Sequence, residues 1–405
     1  LLSFLASQRD VDSPEVAALL NDISARFPSS LSTTLTWLYF EYNHALTAQH
    51  VTNELNLARY SQVLGRVLQS IATRLDGKDK TVNTLLTQLP QVTDECLQFI
   101  EQLAAQPHTL KLALSLLKDL TLLRPRARDQ SLQLLLRYAT HEDDTVRTLA
   151  IRLVSSKLFG VKELAPVIEK YASEQLHALV EKYPASQHQE AMTEIEDSSN
   201  AGTSVNESEI KSHLLLYFAL CSKRHELLAP LLQNYSQLSA AVQRIIHTQS
   251  QGLVKSIGMH SLHLLALITK PPPGSELFLL YMLNILTDTG TDLSTPYHAQ
   301  LTTHFQVPPS SQLVASARDA YETTKDARFL IPVVTGLDKA ELLQQLPRLL
   351  VLSSSAVKSL IHKLVNSKPT PLTPAELLIT LHLTDTGVVP LKRIIEGKCI
   401  HDHPR

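Results

Sequence analysis

The chain has 405 residues, of which 44% are hydrophobic, 5% aromatic and 19% charged, with a formal net charge of -2. That length exceeds one compact core and fits two domains or one array that grows by adding units, while the near-neutral balance lacks the basic field that draws phosphate backbones. Only 11 glycines disfavour Rossmann and P-loop folds, which need tight turns and phosphate-cradling loops.

The cysteines Cys96, Cys221 and Cys399 stand too far apart for a disulfide framework or a paired-Cys metal knuckle, and point to a reducing compartment. No apolar run reaches the roughly 18 residues that cross a bilayer, and Leu1, Leu2 and Phe4 soon meet Arg9, Asp10 and Asp12, so neither an anchor nor a signal peptide is expected. Without an initiator Met the chain is expected to be a piece of a longer one.

Leu31 to Tyr39 alternates like a strand, yet Leu31, Leu35, Leu38 and Tyr42 fit a helix, which an all-helical neighbourhood favours. Three stripes follow at helical spacing: Leu112, Leu116, Leu120 and Leu123; then Leu132, Leu135, Leu136 and Ala139; then Val146, Leu149, Ala150, Leu153 and Val154. Between them stand Pro125 and the polar run His141 to Asp144. Connections that short make sequential helices antiparallel neighbours. Asp144-Thr-Val-Arg147-Thr-Leu-Ala150 resembles the start of the second helix of a HEAT repeat, with an acidic cap and with Val146 and Ala150 packed inward.

From Ser186 to Ser208 the apolar rhythm stops, and Glu190, Glu194, Glu196, Asp197, Ser198 and Ser199 dominate. The predicted organisation is a helical array over 1–185, an acidic Ser-rich linker over 186–209 and a second helical array over 210–405. Ser198, Ser199, Ser204 and Ser208 are candidate phosphorylation sites, and Asn206-Glu-Ser208 is an idle match to the glycosylation acceptor pattern. In the second array Asp338 with Glu341, and Thr373 with Pro374 and Glu376, have capping-box spacing. Val357, Leu360, Ile361 and Leu364 form a further stripe. The expected fold is all-α, an α-solenoid of antiparallel HEAT-like helix pairs with no significant β-sheet.

Motifs that carry chemistry are absent: there is no Gly-x-Ser-x-Gly elbow, no Gly-rich loop ending in Gly-Lys-Ser/Thr and no His-Glu-x-x-His. No catalytic, cofactor-binding or metal residue is therefore assigned, and the chain is not expected to be an enzyme. His225-Glu226 lacks its second histidine one turn on and reads as a surface pair. Cys399, His401 and His403 share one side only in an extended chain, so metal binding is not expected there. Arg124, Arg126 and Arg128 around Pro125 form a basic turn with no interleaved aromatics to stack bases, so direct RNA binding is not expected.

Several stretches after Ile210 resemble, in order and spacing, the C-terminal domain of the symplekin family. They are Arg224-His-Glu-Leu-Leu-Ala-Pro-Leu-Leu232, Ile257-Gly-Met259-His-Ser-Leu-His-Leu-Leu265, Leu283-Asn-Ile-Leu-Thr-Asp288 and Asp326-Ala-Arg-Phe-Leu-Ile-Pro332 with Val333-Val-Thr-Gly-Leu337. Leu346-Pro-Arg-Leu349 and Leu372-Thr-Pro-Ala-Glu-Leu-Leu378 continue the series. His260, His263 and the triple proline Pro271 to Pro273 depart from the family pattern. The resemblance implies a nuclear scaffold of pre-mRNA 3′-end processing without catalytic activity. Its implied partners are the C-terminal regions of a metallo-β-lactamase-type cleavage endonuclease and of its inactive paralogue, with other 3′-end processing factors and no membrane. Arg328, Phe329 and Pro332 are candidate partner-binding residues on the same ground. The rival is a HEAT-type transport or coat adaptor.

Overall fold

The computed structural model describes residues 11–52, 56–72, 75, 80–185, 206–287, 308–367 and 370–383. The described residues form eighteen α-helices and no strand; one isolated antiparallel bridge joins Pro184 and Leu238. They divide into two compact units, Leu1–Ser173 and Glu174–Arg405. The expected all-α class is what the chain adopts. The acidic stretch predicted as a linker over 186–209 lies outside the described residues as far as 205.

In the first unit the helices are α1 (Pro14–Arg26), α2 (Leu31–Thr52), α3 (Ala58–Ala72), α4 (Thr81–Gln88), α5 (Asp94–Ala104), α6 (Leu110–Leu123), α7 (Arg128–Ala139), α8 (Asp144–Leu153) and the start of α9 (Ala165–Lys182). α1, α2 and α3 pack in succession, as do α5, α6, α7 and α8, and helices also pack on the next but one: α1 on α3 on α5, and α2 on α4 on α6 on α8. That alternation is what antiparallel hairpins produce when their apolar stripes face a shared interior. The stretch Leu31–Tyr39 is helical, as its four-residue spacing predicts, with Trp37 and Leu38 fully buried.

The second unit takes in the remainder of α9, then α10 (Glu207–Cys221), α11 (Leu228–Tyr235), α12 (Ala240–Ile257), α13 (Leu262–Thr269), α14 (Glu276–Thr287), α15 (Ser311–Thr324), α16 (Lys339–Leu350), α17 (Ser354–Asn366) and α18 (Pro374–Leu383). The same alternation recurs by itself here, α10 on α12 on α14 and α11 on α13 on α15. Gly258 ends α12 with φ of 68°, a left-handed closure that costs glycine nothing because it has no Cβ.

The leucine stripes are buried at Leu112, Leu116, Leu120, Leu132, Leu135, Leu136 and Ala139. Leu123, expected with them, is 61% exposed, because α6 ends there and the chain turns away into Arg124 and Pro125. The start of α8 also differs from expectation. Its cap is Asp143, whose Oδ1 accepts from the amides of Thr145 and Val146 at 2.7 and 3.2 Å. Val146 is only half-buried, and the side chain carried inward beside Ala150 is Arg147, 1% exposed. Its guanidinium donates to the carbonyls of His141 and Glu142 at 2.7 and 2.9 Å and to Asp144 Oδ1 at 2.5 Å. These acceptors offset the cost of taking the guanidinium out of water.

Pro14 and Pro374 open helices, whereas Pro347 sits inside α16 near its C-terminal end.

Candidate interaction surface

The segment that begins at Asp326 is built around a turn. Lys325 closes α15 in the left-handed region, and Asp326 Oδ1 then accepts from the Arg328 amide at 2.9 Å, starting a short 3-10 turn over Ala327–Leu330. The Arg328 side chain folds back on the same carboxylate, Nε to Oδ1 and Oδ2 at 3.0 and 2.9 Å and a terminal nitrogen to Oδ2 at 2.7 Å. Hydrogen bonding to Asp326 raises the Arg328 pKa further above its ordinary value. Phe329 is fully buried and Pro332 is buried. Of the three candidate partner-binding residues the structure therefore leaves Arg328 at the surface, ion-paired, and sets Phe329 and Pro332 into the interior.

The glycine of Val333-Val-Thr-Gly-Leu337 is explained by crowding. A Cβ on Gly336 would lie 2.7 Å from Val314 Cγ2 and 2.9 Å from Pro309 Cγ, so only glycine lets this turn lie against α15. Beyond it, Asp338 precedes α16 but makes no side-chain cap bond. Glu341, predicted as its capping partner, reaches across to Arg318 on α15 instead; a bidentate-capable arginine outcompetes one backbone amide. The second capping box forms as predicted: Glu376 N donates to Thr373 Oγ1 at 3.3 Å, and Thr373 N donates to Glu376 Oε2 at 3.1 Å. Glu376 also receives Lys339 Nζ at 2.6 Å, and these bonds, the lysine's foremost, hold its carboxyl down at about 2.

Arg348 of the Leu346-Pro-Arg-Leu349 stretch donates to the Tyr321 hydroxyl at 2.7 Å, and Lys363, 4% exposed, donates to Thr287 Oγ1 at 3.2 Å. Beside these engaged polar groups the segment also exposes large apolar side chains. Val351, Val365, Leu378 and Ile379 are 53 to 57% exposed.

The other sequence candidates are occupied by structure. Arg124 donates to the carbonyls of Thr87 and Pro90 at 3.1 and 3.2 Å, and Arg128 to Thr121 O and Glu163 at 3.2 and 2.5 Å; Arg126 is exposed. His225 is half-buried rather than a surface residue, its Nδ1 2.8 Å from Ser261 Oγ, while Glu226 stays exposed beside His263. The Asn206 side chain caps α10 by accepting from the Ser208 and Glu209 amides at 3.1 and 3.4 Å. Cys399, His401 and His403 lie outside the described residues. Cys96 and Cys221 are both buried, and burial pushes the Cys96 thiol up to about 12 and raises that of Cys221 as well, so neither is a ready nucleophile. Among the described residues no group of three or more His, Cys, Asp or Glu is placed to hold a metal, and no helix is long and apolar enough to cross a membrane.

Fold and surface define an all-α protein of alternating packed helices whose polar side chains serve helix ends and turns. Residues 326–400 match the family described as symplekin tight junction protein C terminal. That match supports a symplekin-family assignment for this segment. No solved structure matches the chain.

Proposed function

We propose that the chain is a non-catalytic scaffold of the nuclear pre-mRNA 3′-end processing machinery, tethering a metallo-β-lactamase-type cleavage endonuclease and its inactive paralogue through their C-terminal regions. The observation that carries this reading is the family match over 326–400. In its support, the described part of that segment keeps Val351, Val365, Leu378 and Ile379 exposed, and apolar side chains in the open are the usual anchors of partner helices. Two partners held on one chain meet at a concentration set by geometry rather than diffusion. The chain then needs no chemistry of its own, and the cleavage chemistry belongs to the endonuclease.

Co-expression of the chain with the two C-terminal regions, followed by purification through a tag on the chain, tests the proposal. Both regions are expected to co-purify, and Leu378→Asp with Ile379→Asp to reduce the recovered partner at least about tenfold, since charges cannot be desolvated at an apolar contact. Failure of both regions to associate with the unaltered chain would transfer the assignment to the transport or coat adaptor.

A further inference from the structure

The connection from α17 to α18 carries the pairs Thr370-Pro371 and Thr373-Pro374. Ser367 and Leu372 are buried there, while Thr370 and Thr373 are exposed. Ser/Thr-Pro pairs stand in the whole sequence at Ser13, Thr295, Thr370 and Thr373, and of these Thr373 alone has a second proline two residues before it, in Pro371-Leu-Thr373-Pro374. That is the pattern selected by proline-directed protein kinases of the mitogen-activated kind. Their pocket for the residue after the acceptor offers no partner to an N–H, and proline has none to leave unpaired. A residue before a proline is also pushed toward extended backbone, the form in which a substrate lies in a kinase groove.

The start of α18 accounts for part of the pattern. Thr373 is its cap, Pro374 its first residue and Glu376 the return carboxylate. It does not account for Pro371, which lies outside the helix. The acceptor hydroxyl is within reach: Thr373 Oγ1 takes its bond from Glu376 N at 3.3 Å, past the usual N–H···O range, so little is lost when the side chain turns outward. Ser13, by contrast, is half-buried.

The position also accommodates the product. A phosphate on Thr373 brings a charge of about -1.5 to -2 and three acceptor oxygens to a helix N-terminus, where the first amides lack intrahelical partners and the dipole favours an anion. Lys339 of α16 stands beside it, its Nζ 2.6 Å from Glu376 Oε1, and Glu376 in turn accepts from the Thr373 amide at 3.1 Å. A phosphate, more highly charged than the carboxylate, draws the lysine to itself. We propose that Thr373 is the acceptor of a proline-directed Ser/Thr protein kinase, its phosphate held by Lys339 and the first turn of α18. In that step Thr373 Oγ1 bonds to the γ-phosphorus of Mg-ATP as the bond to ADP breaks, and the hydroxyl proton passes to the kinase's catalytic carboxylate. The proposal does not depend on the scaffold reading.

The test incubates the whole chain with a recombinant mitogen-activated protein kinase and Mg-ATP and locates phosphate by mass spectrometry. Thr373 is expected to be modified. Pro374→Ala is expected to slow its modification at least about tenfold, because alanine brings an N–H that the pocket leaves unpaired. Pro371→Ala should slow it too, and Thr370→Ala should leave it unchanged. None of these substitutions opens the core, which circular dichroism verifies. By phosphorus NMR the phosphate is expected to ionise at lower pH in the chain than in the phosphorylated peptide Lys368–Leu378, with Lys339→Ala shrinking the difference. An unmodified Thr373, or a rate indifferent to Pro374, overturns the assignment. A phosphate that titrates as it does in the peptide overturns the part given to Lys339.

Discussion

His247 on α12 is sandwiched in a file of rings: Tyr281 at 4.6 Å on one contact, Phe278 at 5.5 Å and Tyr235 at 5.8 Å on others, all nearly parallel. The Tyr235 hydroxyl and Nε2 share a hydrogen bond at 2.8 Å. Burial among these rings disfavours the imidazolium and lowers the His247 pKa from 6.5 to about 4. Because the unfolded chain takes up the proton first, the stability held by the neutral ring is present above pH 6.5 and is lost as pH falls from there toward 4. His247→Phe keeps the ring and removes the titration. Thermal melts at pH 7 and pH 5 are expected to show a smaller acid loss for the variant than for the parent; equal losses would mean that the imidazole is not the titrating group. Neither the file of rings nor the buried Arg147 was legible from sequence. Tyr235, His247 and Phe278 come from three different helices, and Arg147 reads as a polar position until the carbonyls of His141 and Glu142 are placed.

At the scale of the element, capping separates what spacing can predict from what it cannot. Thr373 and Glu376 lie within one turn, so their reciprocal bonds need only local geometry, and the box forms. Asp338 and Glu341 have the same spacing, but Arg318 arrives from another helix and takes the glutamate. Helical stripes were legible for the same local reason, and Leu123 was not, because a stripe does not say where the chain leaves the interior. For α18, Thr373→Ala is expected to cost about 1 kcal/mol by urea denaturation. The partner carboxylate adds a pH signature. With its pKa held at about 2, below the 4.5 of an ordinary glutamate, Glu376 contributes stability that is present above pH 4.5 and lost as pH falls toward 2. Glu376→Gln is expected to flatten that part of the profile, and an unchanged acid slope would show that the Lys339 and Thr373 contacts do not persist in solution.

At the scale of the molecule, the acidic stretch 186–205 is bracketed by contacts rather than by a gap in packing. On its upstream side Ala185 N donates to Gln237 O at 2.8 Å and Tyr183 O accepts from Ser239 N at 3.0 Å, pinning the end of α9 into the turn between α11 and α12. Lys182 pairs with Glu209, the Tyr183 hydroxyl donates to the same carboxylate at 3.4 Å, and His213 Nδ1 lies 2.7 Å from Gln175 Oε1. The end of α9 is thus joined to α10 across the stretch, in the unit that runs from Glu174 onward. Composition marks where helical rhythm stops, but such pairing between positions far apart in sequence leaves no periodic trace. The covalent link across 186–205 is then dispensable for holding these helices together. Residues 1–185 and 206–405, encoded as separate chains and co-expressed, are expected to purify as one species through a tag on either piece, since Leu176 and Leu179 on α9 are buried beside the contacts that tie its end to α10. Weakening the polar clasp alone, with Lys182→Ala and Tyr183→Phe, should leave the pair joined, because exposed ion pairs contribute at most about 1 kcal/mol. Leu176→Asp with Leu179→Asp should separate it. Two pieces that never co-elute, even with the native α9, would instead make 186–205 a true linker between independently folded arrays.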